Sequence, residues 1–251
     1  YWFALRSQDS QPLEWEFEFW GFAALGGIAQ ILAMWFLLRS FQLRSFAVGT
    51  AYSKTETFQA AVFTIVLLGE AVSGAAFVAI AISFVGVCFL SLAKMTVGVR
   101  EFLTSWTNKG ALMGLANGAM LGLSAVSYRG AALSLGGDSA ILAAAATLVV
   151  ALSIQTVVMT VYLKIFEVGE LSRVWQNRGK GTLVGIASML GSAGWFTAMT
   201  LQNVAYVRAV GQVELIFTFL TAILIFRESI RWTELLGTAL IIAGILFLLL
   251  P

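Results

Sequence analysis

Histidine is absent from this chain, and cysteine and proline are scarce. Without histidine there can be no His-based proton relay, His metal ligand or serine–histidine triad, so proton chemistry near neutral pH must use carboxylates. The single Cys88 excludes a disulfide within the chain, and its apolar surroundings favour an inert, buried thiol. The sequence also lacks a phosphate-binding loop and a nucleophile–base constellation. We therefore predict that the protein is not an enzyme and uses no cofactor or metal.

Charged residues are also few. Only 11% of the 251 residues are charged and 59% are hydrophobic, whereas soluble domains contain about 25% charged residues. Because a soluble core cannot bury this much apolar surface, lipid is the predicted solvent. The net charge of +2 comes without a basic tail, which argues against nucleic acid as a partner. We expect an integral protein of the bacterial inner (cytoplasmic) membrane.

Long apolar runs are abundant. A helix needs about 20 apolar residues to cross the hydrocarbon layer, and eight segments meet that length. The connecting loops are short apart from Ala93–Lys109 and Phe166–Lys180. The sequence therefore predicts an all-α integral membrane protein with about eight full transmembrane helices. The predicted spans are Phe17–Leu38, Ser45–Leu68, Ala71–Leu92, Gly110–Leu133, Ala140–Ile165, Gly181–Leu201, Val204–Phe226 and Thr233–Leu250.

Two stretches of the chain, Leu43–Leu90 and Leu201–Leu248, match one another at an offset of 158 positions. Five helices per copy is an odd number, so the second copy must enter the membrane from the opposite face, which makes the repeat inverted. We predict a first repeat at 1–92, a connecting loop at 93–109 and a second repeat at 110–251. The first copy then lacks its first helix and most of its second. The matched pairs include Glu56 with Glu214, Glu70 with Glu228 and Gly86 with Gly244.

Lysine and arginine concentrate in alternate loops, with eleven on one side and one, Arg6, on the other. The positive-inside rule places the richer side in the cytoplasm and Pro251 on the outer face. The residues of the richer side are Arg39, Arg44, Lys94, Arg100, Lys109, Lys164, Arg173, Arg178, Lys180, Arg227 and Arg231.

The ends of the two copies carry a family resemblance. The run from Phe58 to Glu70, FQAAVFTIVLLGE, and the later Gly86–Leu90 resemble the end of the first EamA-type repeat of the drug/metabolite transporter superfamily. The run Ile223–Glu228, with Leu236-Gly237 and Ala243–Ile245 after it, resembles the end of the second repeat.

This resemblance extends over about Trp20–Leu92 and Gly110–Leu250. It implies a ten-helix carrier in which two inverted five-helix bundles enclose a central solute cavity. It also implies solutes such as amino acids, nucleobases, sugar-nucleotides or cationic drugs, with export as a frequent direction. The family's usual topology has both termini inside, whereas the charge bias of this chain puts the C-terminus outside.

Ionisable residues inside the predicted spans are few and point to function. Glu56 and Glu214 are repeat partners, so we expect them to lie symmetrically about the cavity and to bind a cationic group or protons, since burial favours a protonated carboxyl. The alternative is that they form static or gating ion pairs with Lys54 or Arg208. Lys54 and Glu56 are separated by about 200° around a helix, so both cannot face one point.

Polar side chains elsewhere supply further candidates for solute binding. Asn117, Ser124 and Tyr128 fall on one face of a predicted helix, where they could bind a polar solute or bond to neighbouring helices. Gln30, Trp35 and Trp195 are lesser candidates. Glu70 and Glu228 occupy tight turns, where capping of the next helix is the expected role. On the Asn117 helix, glycines recur at every fourth position from Gly110 to Gly122, as a packing ridge or a sliding surface.

Taken together, these features predict a secondary active transporter that works by alternating access. The expected solute is a small polar or amphipathic metabolite, such as an amino acid, a cationic metabolite or a drug. Proton-coupled export through Glu56 or Glu214 is the preferred mechanism and passive facilitation the close second. A flippase for lipid-linked substrates and a non-transporting subunit or receptor remain alternatives. The expected partners are the solute, protons and membrane lipids, in a monomer or homodimer.

Overall fold

The computed structural model describes residues 13–42, 52–93, 108–225 and 231–249, and these ranges contain helices and no strands. Apolar character sustained over whole segments favours helices, because a helix satisfies every backbone polar group within itself. The ten helices are α1 (Phe17–Gln42), α2 (Glu56–Leu68), α3 (Gly74–Ala93), α4 (Lys109–Ser134), α5 (Ala140–Phe166), α6 (Glu170–Gln176), α7 (Arg178–Leu201), α8 (Val204–Gly211), α9 (Val213–Leu224) and α10 (Trp232–Leu249).

The predicted all-α membrane fold is confirmed. Within the described ranges six segments are long and apolar enough to span a membrane, counting Val204–Thr221 of α8 and α9 as one. Two shorter apolar helices, Glu56–Leu68 and Gly74–Leu90, lie in the remaining two predicted spans. The structure differs from the sequence prediction in three respects. The predicted span Ser45–Leu68 is interrupted by a turn at Lys54 and Thr55, and the α8–α9 span is interrupted at Gln212. The predicted loop Phe166–Lys180 contains the short helix α6.

Helix ends follow ordinary capping chemistry. The side chain of Ser139 accepts a hydrogen bond from the backbone N–H of Leu142 at the start of α5. Gly69 ends α2 in the left-handed region at φ 64°, where its N–H bonds to the carbonyl of Ile65. Gly136 and Gly137, at φ 60° and 82°, make the turn between α4 and α5. A side chain is disfavoured in that conformation, so glycine suits these turns.

The helices form two compact units. The first unit comprises residues 1–28 and 127–202, and so includes the start of α1, the end of α4, and all of α5, α6 and α7. Its buried cluster packs the fully buried Phe19 and Leu135 with alanines of α1, α4 and α5. The backbone N–H of Glu14 bonds to the carbonyl of Leu135, which attaches the segment before α1 to the end of α4.

The second unit comprises residues 29–126 and 203–251, and it contains α2, α3, α8, α9 and α10 with the remainders of α1 and α4. Glycine allows α3 and α10 to approach closely. A Cβ on Gly86 would lie 2.7 Å from the carbonyl oxygen of Gly237, and a Cβ on Gly237 would lie equally close to that of Gly86. Small residues at a membrane helix crossing permit such backbone contact. Val87, Ile241 and Ile245 form the neighbouring apolar cluster.

Two of the four glycines on the predicted ridge also pack tightly in this unit. A Cβ on Gly118 would lie 2.8 Å from the carbonyl oxygen of Ser53, and one on Gly122 would lie 3.0 Å from the amide nitrogen of Ala60. The ridge on α4 therefore packs directly against the backbone around the start of α2. These glycines hold close the segment that carries Glu56.

Candidate solute site

Two helices of the second unit are interrupted immediately before their carboxylates. Tyr52 and Ser53 are helical, Lys54 and Thr55 form a turn, and α2 starts at Glu56. In the other case α8 ends at Gly211, Gln212 forms the turn, and Glu214 lies in the first turn of α9. Lys54 and Gln212 correspond at the offset of 158 positions. The two interruptions therefore fall at the same place in each copy.

Both interruptions are tightened turns. The N–H of Thr55 donates to the carbonyl of Tyr52 over 3.1 Å, and the N–H of Gln212 donates to the carbonyl of Ala209 over 3.2 Å. Each bond reaches back three residues rather than the four of an α-helix, which is the 3₁₀ pattern. A 3₁₀ turn within a helix frequently marks a hinge. Discontinuous helices of this kind form the solute and ion sites of many secondary transporters.

Four charged side chains at these breaks form two ion pairs. Lys54 Nζ lies 2.9 Å from Glu214 Oε1, and Arg208 Nη1 lies 3.2 Å from Glu56 Oε1. Each pair joins a cation from one copy of the repeat to a carboxylate from the other. The ion-pair alternative of the sequence analysis is therefore present in the structure. Lys54 and Glu56 bind different partners, but Lys54 lies in the turn before α2, so the predicted separation around one helix does not account for this.

The two pairs differ in their exposure to the surroundings. The side chains of Arg208 and Glu56 are 18% and 16% exposed, whereas those of Lys54 and Glu214 are 25% and 59% exposed. A pair that is largely removed from its surroundings depends on its partner for compensation of charge. A pair with a member exposed to water is held more weakly. The Lys54–Glu214 pair is the less enclosed of the two.

Neutral polar side chains surround the breaks. Gln212 Nε2 donates to the hydroxyl oxygen of Thr57 over 2.9 Å, and Gln59 Nε2 donates to that of Thr55 over 3.2 Å. The amide oxygens of both glutamines are buried and have no hydrogen-bond partner within the described residues. The sequence analysis did not select Thr57, Gln59 or Gln212. The correspondence of Gln212 with Lys54 was the available signal.

The other polar candidates are divided between the units. In the second unit, Asn117 Nδ2 donates to the carbonyl of Ala33 over 2.7 Å, a bond to a neighbouring helix, and Ser124 is buried. The guanidinium of Arg39 lies 5.5 Å from the ring centre of Trp35, and Gln30 is exposed. A role of these four residues in solute binding stays a prediction.

In the first unit, Tyr128 is buried, and its hydroxyl accepts a hydrogen bond from Gln155 Nε2 over 3.0 Å. Its ring centre lies 4.4 Å from that of Phe196. Trp195, the residue before Phe196, is half-buried on α7. Hydrogen bonding and ring packing account for the position of Tyr128, and solute binding by Tyr128 or Trp195 stays a prediction.

Two further charged residues are bound near helix ends. Glu70 Oε2 accepts a hydrogen bond from Asn203 Nδ2 over 3.0 Å, while the hydroxyl of Ser73 caps α3 through the N–H of Ala76. Glu228 lies outside the described residues. Arg129 Nη1 donates to the carbonyls of Met199, Thr200 and Gln202 at 2.6–3.0 Å. A cation suits the C-terminal end of α7, where carbonyls are left without intrahelical partners.

Within the described ranges, no three His, Cys, Asp or Glu side chains are grouped so that they could hold a metal ion. The chemical resources of the second unit are therefore two carboxylates, two cations and two amide oxygens at paired helix breaks. Such an arrangement can bind charged and hydrogen-bonding groups of a solute by exchanging internal partners for those of the solute. It offers no nucleophile with an activating base.

Comparisons with known proteins agree with this architecture. A solved structure titled only "Crystal structure of protein" superposes with a TM-score of 0.60 at 14% identity, covering 99% of this chain and 93% of that one. At this identity the likeness concerns the fold alone. No curated protein matches the chain. The sequence profile of the EamA-like transporter family matches residues 108–250, more than half of the chain. Because the profile match, the helices and their apolar surfaces agree, we conclude that this chain belongs to the EamA-like transporter family.

Proposed function

We propose that the protein is a secondary active transporter that moves a small polar or amphipathic metabolite across a cytoplasmic membrane by alternating access. The observation that carries this proposal is the pair of crossed ion pairs, Lys54–Glu214 and Arg208–Glu56, at two breaks in apolar helices. Charged groups within membrane spans are retained where they serve a pathway or a binding site. Family membership supports transport of a small molecule.

The crossed arrangement suits a carrier built from an inverted repeat. Each carboxylate belongs to one copy and its cation to the other, so a movement of one copy against the other must separate them. A solute that carries charged groups can replace the partners that are lost. This favours an amino acid or a cationic metabolite or drug over an uncharged hydrocarbon-like solute.

We further propose that Glu214 is the proton-binding carboxylate and that transport is export driven by proton exchange. Protonation of Glu56 would leave the nearby Arg208, itself only 18% exposed, without its counter-charge. Glu214 is 59% exposed and bound to a flexible lysine. Protonation of Glu214 would therefore release Lys54 at a smaller free-energy cost.

Flux measurements in proteoliposomes test this function. The purified chain is reconstituted, and accumulation of labelled amino acids, polyamines and quaternary amines is measured with and without an acidic lumen. We expect the acidic lumen to drive accumulation of at least one solute. Glu214→Gln should abolish the response to the gradient but retain exchange of labelled for unlabelled solute. Glu170→Gln is the matched control, because Glu170 is also paired with a cation, the guanidinium of Arg173 at 2.6 Å.

Three outcomes would contradict the proposal at different levels. If Glu56→Gln and Glu214→Gln both preserve gradient-driven flux, neither carboxylate carries the proton. If wild-type flux does not respond to the gradient, the proton role is wrong and passive facilitation takes its place. If no solute of the panel moves in either condition, transport by this chain is wrong. A non-transporting scaffold is then the better account, and the pairing of both carboxylates is the observation that favours it.

A further inference from the structure

The side chain of Gln212 has a buried amide oxygen for which the described residues supply no hydrogen-bond donor. It lies in the turn between α8 and α9, with the residue only 5% exposed. Its nitrogen Nε2 is used by Thr57, but its oxygen Oε1 is buried and has no hydrogen-bond partner within the described part of the chain. Buried polar atoms are nearly always hydrogen bonded, because loss of water is otherwise uncompensated. An orphaned oxygen of this kind requires an explanation.

The repeat explains how the oxygen came to be orphaned. Gln212 corresponds to Lys54, and Lys54 binds the carboxylate of the opposite copy. The symmetric arrangement would direct the nitrogen of Gln212 to Glu56. Arg208, one helical turn before Gln212, binds Glu56 instead. The amide nitrogen of Gln212 binds the next residue, Thr57, and this leaves its oxygen without a donor.

A second amide, on α2 beside the break at Lys54 and Thr55, is arranged in the same way. Gln59 donates from Nε2 to Thr55 and more distantly, over 3.4 Å, to the carbonyl of Leu115, and its oxygen is also buried without a partner within the described ranges. Two glutamines therefore use their nitrogens to hold the threonines of the break. The amide oxygen of each glutamine is left available as a hydrogen-bond acceptor.

We propose that Gln212 is a specificity-determining residue of the solute site, whose amide oxygen accepts a hydrogen bond from an uncharged N–H or O–H group of the transported solute. This proposal rests on the proposed transport function. An uncharged donor is favoured over an ammonium group, because the amide oxygen is neutral and Arg208 lies one turn away on the same helix segment. Gln59 is the second acceptor of the same kind. A water molecule is the competing occupant.

Matched probes that differ in one donor group distinguish a solute from water. We would measure binding of L-glutamine against L-methionine, and of choline against n-propyltrimethylammonium, by thermal shift of the purified full chain. In each pair the two molecules are similar in length, and only the first carries an uncharged donor at the end. We expect the wild-type protein to favour the donor-bearing member of at least one pair by about tenfold or more, as for sites that hydrogen bond a substrate group.

Variants assign this preference to Gln212. Gln212→Met retains side-chain length and removes the acceptor, so the preference should fall to about onefold while the donor-free probe binds as before. Thr57→Val is the matched control, because it removes the partner of the amide nitrogen and leaves the oxygen. It should retain the preference. Gln212→Glu provides a second variant, which should shift binding from L-glutamine towards L-ornithine, since a carboxylate favours an ammonium group.

Retention of the preference in Gln212→Met, or an unshifted choice between L-glutamine and L-ornithine in Gln212→Glu, overturns the assignment. The absence of any preference in wild-type protein, including the absence of binding by all four matched probes, also overturns it and indicates that water occupies the site. Failure of the transport proposal is a separate result, namely no flux for any solute of the proteoliposome panel.

Discussion

Glu56 and Glu214 occupy corresponding positions in the sequence, yet their surroundings in the structure differ. Both lie in the first turn of a helix that follows a break, and both accept a cation from the opposite copy. Glu56 is 16% exposed and bound to Arg208, whereas Glu214 is 59% exposed and bound to Lys54. The two positions correspond in the sequence, and the partner and exposure of each carboxylate make them unequal in the structure.

The cations are responsible for this inequality, because they do not obey the repeat. Arg208 corresponds to Thr50 and Lys54 corresponds to Gln212. A guanidinium is always charged and rigid, while a lysine ammonium is a point charge on a flexible stem. Arg208–Glu56 is thus suited to be a stable ion pair, and Lys54–Glu214 is suited to form and break.

Removal of the arginine should have the largest effect. Arg208→Met leaves the carboxylate of Glu56 buried without its counter-charge, so we expect the free energy of unfolding to fall by about 3 kcal/mol. The measurement is unfolding of the purified chain in mixed micelles. The double variant Arg208→Met/Glu56→Gln should recover most of the loss, because no buried charge remains. Equal stability of Arg208→Met and Lys54→Met would contradict the distinction between the two pairs.

A change at Gly118 should have an intermediate effect that is confined to the Glu56 side. A Cβ there would lie 2.8 Å from the carbonyl oxygen of Ser53 and 3.1 Å from the amide nitrogen of Glu56. We expect Gly118→Ala to destabilise the protein by about 2 kcal/mol through overpacking. Gly181→Ala on α7 is the matched control, since nothing lies within 4 Å of a Cβ at that position. Equal melting temperatures for the two variants would count against close packing of α4 on the break.

Removal of the lysine should have the smallest effect on stability. Lys54→Met leaves Glu214 with most of its side chain exposed, so the free energy of unfolding should change by less than about 1 kcal/mol. Single Lys54→Glu should destabilise somewhat more, because it places two carboxylates together, and the swap Lys54→Glu/Glu214→Lys should restore the wild-type value. The same micelle assay compares all three. If Lys54→Met lowers the free energy of unfolding as much as Arg208→Met does, both ion pairs are stable structural contacts and the distinction between them is wrong.

Much of the fold could be predicted from the sequence because membrane helices are defined by local composition. The apolar run Ala140–Ile165 became α5 at Ala140–Phe166, and Gly110–Leu133 became α4 at Lys109–Ser134. The break at Gln212 was missed because Val204–Phe226 is apolar enough to read as one continuous span. The helix α6 was missed because seven residues within a polar loop carry no clear periodicity.

The four charged residues of the candidate site are easily found in the sequence, but their contacts are not, and their role in solute binding stays a prediction. Glu56, Glu214, Lys54 and Arg208 were selected because charge within apolar sequence is conspicuous. Their partners could not be assigned, because a sequence offset relates positions and does not determine which side chains touch. Asn117 illustrates the difference, since its amide is used for the carbonyl of Ala33. Gln212 was overlooked because a neutral amide in a helix is unremarkable until its burial is known.

Length, apolarity and rare charges identify this chain as a helical membrane protein with two carboxylates at corresponding positions, because lipid selects these local properties directly. Tertiary contacts bring Arg208 to Glu56 and Lys54 to Glu214, and they leave Gln212 with a buried acceptor. Those outcomes depend on the distances between helices that are more than a hundred residues apart in the chain. Packing of α4 and α8 against α2 sets these distances, and no local pattern encodes them.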